Sequence, residues 1–341
     1  STPSYGRTFP WCKGSSFSRP LSTPWSILVW TLPTPTWILA YTMTKRRFPI
    51  PTRKTVPRHE YAPRPLRRLR ADTVALGALS FLSLVAVAVL LAPALTPYDP
   101  LAMNPGEQLL PPGPSHPAGT DLFGRDVATR LLYGGRLTLG IAALSVLISS
   151  LLGTAMGLLA GYYGRATDRA IGWLTDVLLS FPSVLLALTI VAALGPGVAN
   201  VVVAVAIAGI PTYTRLVRGQ VLSARRQAYV RAAVSVGCTD RRILARHILP
   251  NAMGPIVVMA TVSIGWAILS ASALSFLGLG VQPPAPEWGA MLNEGRGYLR
   301  AAPWMTAAPG LAIALTVLAV NLLGDALRDM LDPQSRDRSR G

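Results

Sequence analysis

The sequence predicts an all-α integral membrane protein with six transmembrane helices, and two observations carry that prediction. Of the 341 residues, 51% are hydrophobic and only 14% are charged, which is too few charges for the surface of an ordinary globular domain. The apolar residues are also gathered into long runs without any charge. These runs cover residues 73–98, 137–164, 177–214, 248–286 and 301–324. Each exceeds the ~20 helical residues that cross a bilayer.

Two of the five runs are too long for one helix. The third contains Gly195, Pro196 and Gly197, which a helix interior tolerates poorly, so it is divided there into two spans. The fourth ends its regular helix at the glycine and proline signals between Gly278 and Pro284. The six predicted spans therefore lie near residues 71–95, 137–164, 170–194, 198–214, 254–275 and 301–324.

The distribution of Lys and Arg predicts the orientation, because short loops rich in these residues stay in the cytoplasm. Ten lie in a basic tail at residues 43–70, eight lie between Arg215 and Arg246, and four lie between Arg328 and Arg340. Six spans with both termini inside put all of these residues on one side. We expect an external loop at 96–135, a core of five spans at 136–328, and a cytoplasmic tail at 329–341.

The first 42 residues are rich in Pro, Ser, Thr and Trp and have no helical or strand periodicity. That composition predicts a disordered or mis-annotated extension, with Met43 as the hypothetical true start. The apolar stretch at residues 25–42 is interrupted by Pro33 and Pro35, which disfavours a seventh span.

The cytoplasmic segment at residues 215–251 is too long for a simple turn and is helix-patterned throughout. Ala233 and Gly237 are four residues apart, so on a helix they share one face that a partner can approach closely. Thr239 or Asp240 is a candidate N-cap for a second short helix. Pro250 is expected to close that helix. The alternative is a solvated basic surface near anionic lipid headgroups, which does not explain the small residues.

Within this segment, Ala232-Ala233, then Gly237, then His247-Ile248-Leu249-Pro250 resembles the cytoplasmic signature of bacterial ABC-importer permeases. Further blocks resemble the dipeptide, oligopeptide and nickel group, in particular its second, C-type subunit. They are Gly119-Thr120-Asp121 with Gly124-Arg125-Asp126, then residues 274–280, 288–292 and 321–325. The resemblance spans about residues 66–333. Arg231 departs from it, since the family usually has Glu at this position.

The resemblance implies the type I ABC-importer permease fold in a bacterial cytoplasmic membrane. It implies that Arg231, Ala232, Ala233, Gly237, His247, Leu249 and Pro250 form the surface that couples to an ATPase. The implied partners are a second permease, two ATP-binding cassette subunits, an extracytoplasmic solute-binding protein and the bilayer. The implied function is ATP-driven import of di- or oligopeptides by alternating access. A nickel or metal-chelate permease and, more remotely, a homo-oligomeric channel are the alternatives.

Other functions find little support in the sequence. There is no phosphate-binding loop, no pair of histidines at metal spacing and no nucleophile motif, so ATP and Mg are expected on partner subunits and no cofactor on this chain. Cys12 and Cys238 are too far apart for a CxxC site. The net charge of +17 is scattered between apolar runs instead of forming a nucleic-acid-binding domain.

A few charged side chains remain as candidates outside the coupling segment. Asp176 lies within the third span, where an ionisable residue is costly and is therefore a functional candidate. The alternative is a residue at the cytoplasmic edge that pairs with Arg169 or a similar neighbour. The acids Asp121, Asp126, Glu287 and Glu294 of the external loops either receive the binding protein or are solvated. His247 is expected to be an ordinary packed or solvated side chain.

Overall fold

A computed structural model describes residues 72–331, and over this range the chain is helical without a β-strand. The predictions for residues 1–42 and for the basic tail at 43–70 lie outside the described residues, and so does the predicted C-terminal tail from residue 332 onward. Residues 329–331 of that tail are described and are helical. The α-helices are α1 (Thr73–Leu90), α2 (Ala92–Leu95), α3 (Val127–Tyr163), α4 (Arg165–Leu179), α5 (Ser183–Leu194), α6 (Val198–Arg225), α7 (Ala228–Ser235), α8 (Asp240–Ile243), α9 (Leu249–Phe276), α10 (Trp288–Gly295) and α11 (Trp304–Leu331).

Five of the described helices are long and apolar enough to cross a membrane, and α4 with α5 makes a sixth span if the pair counts as one. The five are α1, α3, α6, α9 together with the turns that precede it, and α11. The single helix predicted at residues 170–194 is wrong. Its two halves are bent by 89° at residues 180–182, because Pro182 cannot donate a helical hydrogen bond and its ring restricts the residue before it.

The helix ends also differ from the predicted loops. Asp126 starts α3 by accepting hydrogen bonds from the backbone N–H and the hydroxyl of Thr129, so α3 begins ten residues before the predicted second span. The predicted external loop at 96–135 therefore ends in helix. At the other side, α6 continues to Arg225, eleven residues into the predicted cytoplasmic segment.

The core is organised around the packing of α3 against α6, the most extensive helix pairing in the described chain. Gly153, Gly157 and Gly161 lie four apart on α3, and each faces α6. A Cβ at Gly157 would lie 2.7 Å from the carbonyl oxygen of Thr214. Small residues at this spacing let two membrane helices approach backbone to backbone, so α3 and α6 form one closely packed unit.

Candidate functional site

The predicted coupling segment forms two short helices that lie against the ends of α6 and α9. Helix α7 is followed by a turn, by the four residues of α8 and by a wider turn of helix at Leu244–Ile248 that leads into α9. Ala232 is exposed on α7, whereas Ala233 is partly buried and packs on the cluster beneath. The guanidinium of Arg231 is exposed and donates to the carbonyl oxygen of Arg226 at 2.7 Å.

Gly237 does not share a helix face with Ala233, which corrects the sequence-based interpretation. Helix α7 ends at Ser235, and Gly237 follows with φ of +81°. The N–H of Gly237 donates to the carbonyl of Val234, and the N–H of Cys238 donates to that of Ala233. This is a Schellman ending, in which glycine supplies the left-handed conformation that closes a helix. Gly237 therefore shapes the turn between the two short helices.

Pro250 does not close the second helix either. The N–H of Leu249 donates to the carbonyl of Leu244, five residues back, and this wider turn accommodates the proline in the first turn of α9. His247 is partly buried, and its carbonyl accepts a hydrogen bond from the Asn251 side chain at 2.7 Å. This partial burial agrees with the expectation of an ordinary packed or solvated side chain.

The segment is anchored to the long helices by a buried apolar cluster and by polar contacts around it. The buried members of the cluster are Val217, Val221, Val230, Ile243, Ile248, Ala252 and Ile256. The hydroxyl of Tyr162, near the end of α3, donates to Asp240 at 2.6 Å, and Asn251 donates to the Tyr229 hydroxyl at 3.2 Å. Displacing α7 and α8 therefore requires α6 and α9 to move as well.

The outer face of the segment combines exposed apolar side chains with positive charge. Val236 is 83% exposed and Val234 is 56% exposed. Beside them is an open cleft of about 380 Å³ lined in part by Ala232, Arg242 and His247. An exposed apolar patch rimmed by charged residues is typical of a protein interaction site. Arrangement and exposure thus suit this surface to contact a partner.

The four acids of the segments that are predicted to be external, called the external acids below, are neither solvated nor open to a partner, which corrects both sequence-based alternatives. Asp121 accepts from the guanidinium groups of Arg125 at 2.6 Å and Arg130 at 2.8 Å. Glu294 on α10 accepts from the same two groups at 3.0 and 2.9 Å. Both arginine side chains are 1% exposed. Burial raises the pKa of Glu294, and the positive charge of Arg125 opposes that shift.

The other two acids are buried as helix caps. Asp126 caps α3 and contacts His116 Nδ1 at 3.0 Å. Glu287 caps α10 by accepting from the N–H of Ala290, and its other carboxylate oxygen accepts from the Thr138 hydroxyl at 2.9 Å. These contacts join segments far apart in sequence, so the external acids hold the segment before α3 and the segment around α10 to the core.

Asp176 pairs with Arg215 of α6 at 2.7 Å. The sequence interpretation allowed Arg169 or a similar neighbour as the partner, and the structure has the neighbour. This pair is open, since the two side chains are 70% and 59% exposed. Asp168 lies about two turns before Asp176 on α4. Both of its carboxylate oxygens accept from the guanidinium of Arg218, about one turn beyond Arg215 on α6. The two pairs fix α4 across α6. Within residues 72–331, no group of three His, Cys, Asp or Glu side chains could hold a metal ion.

A comparison with protein families identifies the chain. Residues 153–337 match the family described as the binding-protein-dependent transport system inner membrane component. The chain belongs to this family. Residues 64–112 match the N-terminal transmembrane domain of oligopeptide transport permease C. The predicted family and the predicted all-α permease fold are thereby confirmed.

Relatives of known name agree with that membership, and one solved structure is reported beside them. This permease is 44% identical over 270 residues to the dipeptide transport system permease protein DppC of Alkalihalophilus pseudofirmus, covering 79% of this chain and 89% of the relative. It is 48% identical over 269 residues to the glutathione transport system permease protein GsiD of Pectobacterium atrosepticum, with the same shares. An inward-facing structure of the MetNI methionine ABC transporter gives a TM-score of 0.49 at 18% identity, covering 59% of this chain and 95% of that one.

The permease is thus a multi-pass inner membrane protein and a transport subunit of an ABC importer. An importer of this kind contains ATPase and other partner subunits besides the permease. The sequence found the family through its short blocks, but it missed the paired acids, because Glu294 lies 169 residues from Arg125.

Proposed function

We propose that this chain is the C-type permease subunit of an importer that carries di- or oligopeptides, glutathione-sized peptides included, into the cytoplasm by alternating access. The observation that carries this proposal is the 44–48% identity to dipeptide and glutathione permeases over 79% of the chain. A metal-chelate substrate has no comparable support. Alternating access fits the closely packed α3 and α6, since rigid units can tilt about a central cavity.

The surface of α7 and α8 is the proposed docking site for an ATPase, with Arg231, Ala232, Ala233, Gly237, His247, Leu249 and Pro250 in or beneath it. The support is its exposure on one side and its anchoring to α6 and α9 on the other. Closure of the ATPases would push the short helices, and the apolar cluster would transmit that push to the spans. ATP and Mg are bound by the ATPases, and this chain contributes no cofactor.

The complex we propose contains this permease, a second homologous permease, two ATP-binding cassette subunits and an extracytoplasmic solute-binding protein.

Both termini of the chain face the cytoplasm. Two clusters at the ends of α3 support that orientation. The buried Asp121 cluster lies at its start, and the arginine-rich short helices contact its end at Tyr162. With 37 residues, α3 separates these two ends by about 55 Å.

The experiment that tests the proposal is purification of the tagged permease from its native membrane in mild detergent, with mass spectrometry of the proteins and ligand that accompany it. We expect two ATPases, a second permease and a peptide on the binding protein. A bound nickel or metal chelate would refute the peptide assignment alone. Recovery of this chain by itself, as a stable homo-oligomer, would refute the importer and favour a channel.

A further inference from the structure

The bend between α4 and α5 lies within the hydrocarbon region of the bilayer, where backbone groups without hydrogen-bond partners cost free energy. Helix α5 has 12 residues, so it is about 18 Å long, and it begins at the bend and ends at the turn containing Gly195. The hydrocarbon core of a bilayer is about 30 Å thick. With that turn placed at one boundary of the hydrocarbon core, the bend at residues 180–182 lies about 12 Å short of the opposite boundary. Any tilt of α5 leaves it deeper still.

The backbone at this bend is not satisfied within the described chain. Pro182 precedes α5 and offers no side-chain cap. In residues 72–331, the N–H groups of Phe181, Ser183, Val184 and Leu185 find no acceptor, and the first bond of α5 runs from Leu186 to the carbonyl of Pro182. All three residues of the bend are exposed, Phe181 by 55%. Each such group costs several kcal/mol in hydrocarbon, so irregular backbone at this depth is found buried in protein or lining a water-filled cavity.

The ion pair next to the bend gives an independent reason to place water there. Arg215 lies 17 residues after the start of α6, about 25 Å along the helix, and it bonds Asp176, four residues before the bend. The two side chains are 59% and 70% exposed. Charged side chains within spans face the interior of a bundle or an aqueous cavity, because hydrocarbon solvates them poorly.

We propose that the bend at residues 180–182 and the Asp176–Arg215 pair line the water-filled translocation pathway in its cytoplasmic half. This inference rests on the proposed import function and adds the wall of the pathway to it. Water in the pathway satisfies the free N–H groups of α5 and solvates the ion pair. The same water, held by this polar wall, can solvate the charged termini of a peptide as the peptide leaves for the cytoplasm.

Cysteine labelling tests the placement in nucleotide-free inside-out vesicles that contain the whole importer. In a Cys12→Ser, Cys238→Ala background with normal uptake, Phe181→Cys is treated with a membrane-impermeant, anionic methanethiosulfonate reagent. These reagents need a thiolate and therefore water. We expect labelling at a rate near that of Ala166→Cys, which is exposed at the start of α4 and lies outside the proposed docking surface. The rate should exceed by at least about tenfold that of Leu84→Cys, 66% exposed on the apolar helix α1.

The ion pair supplies a second readout. With Asp176→Cys the remaining arginine attracts the anionic reagent, and with Arg215→Cys the remaining aspartate attracts a cationic one. The preference between the two reagents should reverse, by about fivefold in each direction for a charge near 4 Å in water. If Phe181→Cys labels as slowly as Leu84→Cys, the bend faces lipid or a dry interface and the inference is overturned. An importer that co-purifies with its partners but shows no labelling refutes only this inference, whereas loss of the partners refutes the proposed function.

Discussion

The backbone contact of α3 with α6 at Gly157 gives a sharp test of the packing, through the single substitution Gly157→Ala. The added Cβ would lie 2.7 Å from the Thr214 carbonyl oxygen, 2.7 Å from Val217 Cβ and 3.0 Å from the Arg218 nitrogen. Two of these three atoms belong to the backbone of α6, so no side-chain rotation can make room. The two helices must separate by about 0.7 Å to restore ordinary van der Waals contact.

The magnitude follows from a control in the same helix. Gly140, also inside α3, has no atom within 4 Å of the Cβ that alanine would add. Both substitutions gain up to about 1 kcal/mol of helix propensity, so their difference isolates the cost of overlap. Overpacking of a filled core costs about 1–3 kcal/mol. We therefore expect Gly157→Ala to be less stable than Gly140→Ala by that amount.

The assay is thermal unfolding of the two purified variants in one detergent at one heating rate. A difference of 1 kcal/mol corresponds to roughly 2–4 °C in Tm for a domain of 150–250 residues, so Gly157→Ala should unfold several degrees below Gly140→Ala. Equal midpoints would refute the reasoning, because they would mean that α3 and α6 are not in backbone contact at Gly157.

Three further predictions concern the buried charges and the coupling surface. Arg130→Met removes positive charge from two buried carboxylates and should lower the free energy of unfolding by about 3–5 kcal/mol. The same change at exposed Arg300 should alter it by no more than about 0.5 kcal/mol. Equal losses in the two variants would contradict the buried ion-pair cluster. Gly237→Leu should lower peptide uptake, whereas Gly237→Asn should retain it, because asparagine tolerates the positive φ of this position. Normal uptake by the leucine variant would show that the turn at Gly237 does not shape the proposed docking surface. Arg231→Glu, which restores the family residue, should strengthen co-purification of a family ATPase, and weaker assembly would show that the arginine is matched to an acid on its own partner.

The sequence predicted the spans well, because the absence of charge over 20 or more residues is a local signal. It missed the bend before α5 for a reason that is visible afterwards. The uncharged run from residue 177 was divided at Gly195–Gly197, and Pro182 within the same run was passed over although proline breaks a helix interior as glycine pairs do. Proline alone does not identify the break, because Pro211 of the same run lies inside the continuous helix α6.

The roles of glycine and of the external acids could be predicted less well, since they depend on contacts and backbone conformation. Ala233 and Gly237 fit one helix face by spacing, but the helix ends between them. Asp121 and Glu294 are surrounded by loop-like sequence that suggests solvent, and their common arginine partners become apparent only when α10 is folded against α3. Spacing describes neighbours along one helix and carries no information on pairs from distant segments.

Helix α6 connects the proposed coupling surface to the proposed pathway. It carries Arg215 of the exposed ion pair and continues without a break to Arg225, and only two residues separate it from the start of α7. Val217 and Val221 of the same stretch belong to the cluster that anchors the short helices. The same two valines lie against Gly157 and Gly161 of α3, and this close contact leaves little room for bending. A push on α7 therefore moves α6 and α3 together, and Arg215 is the part of that unit that meets α4 beside the bend.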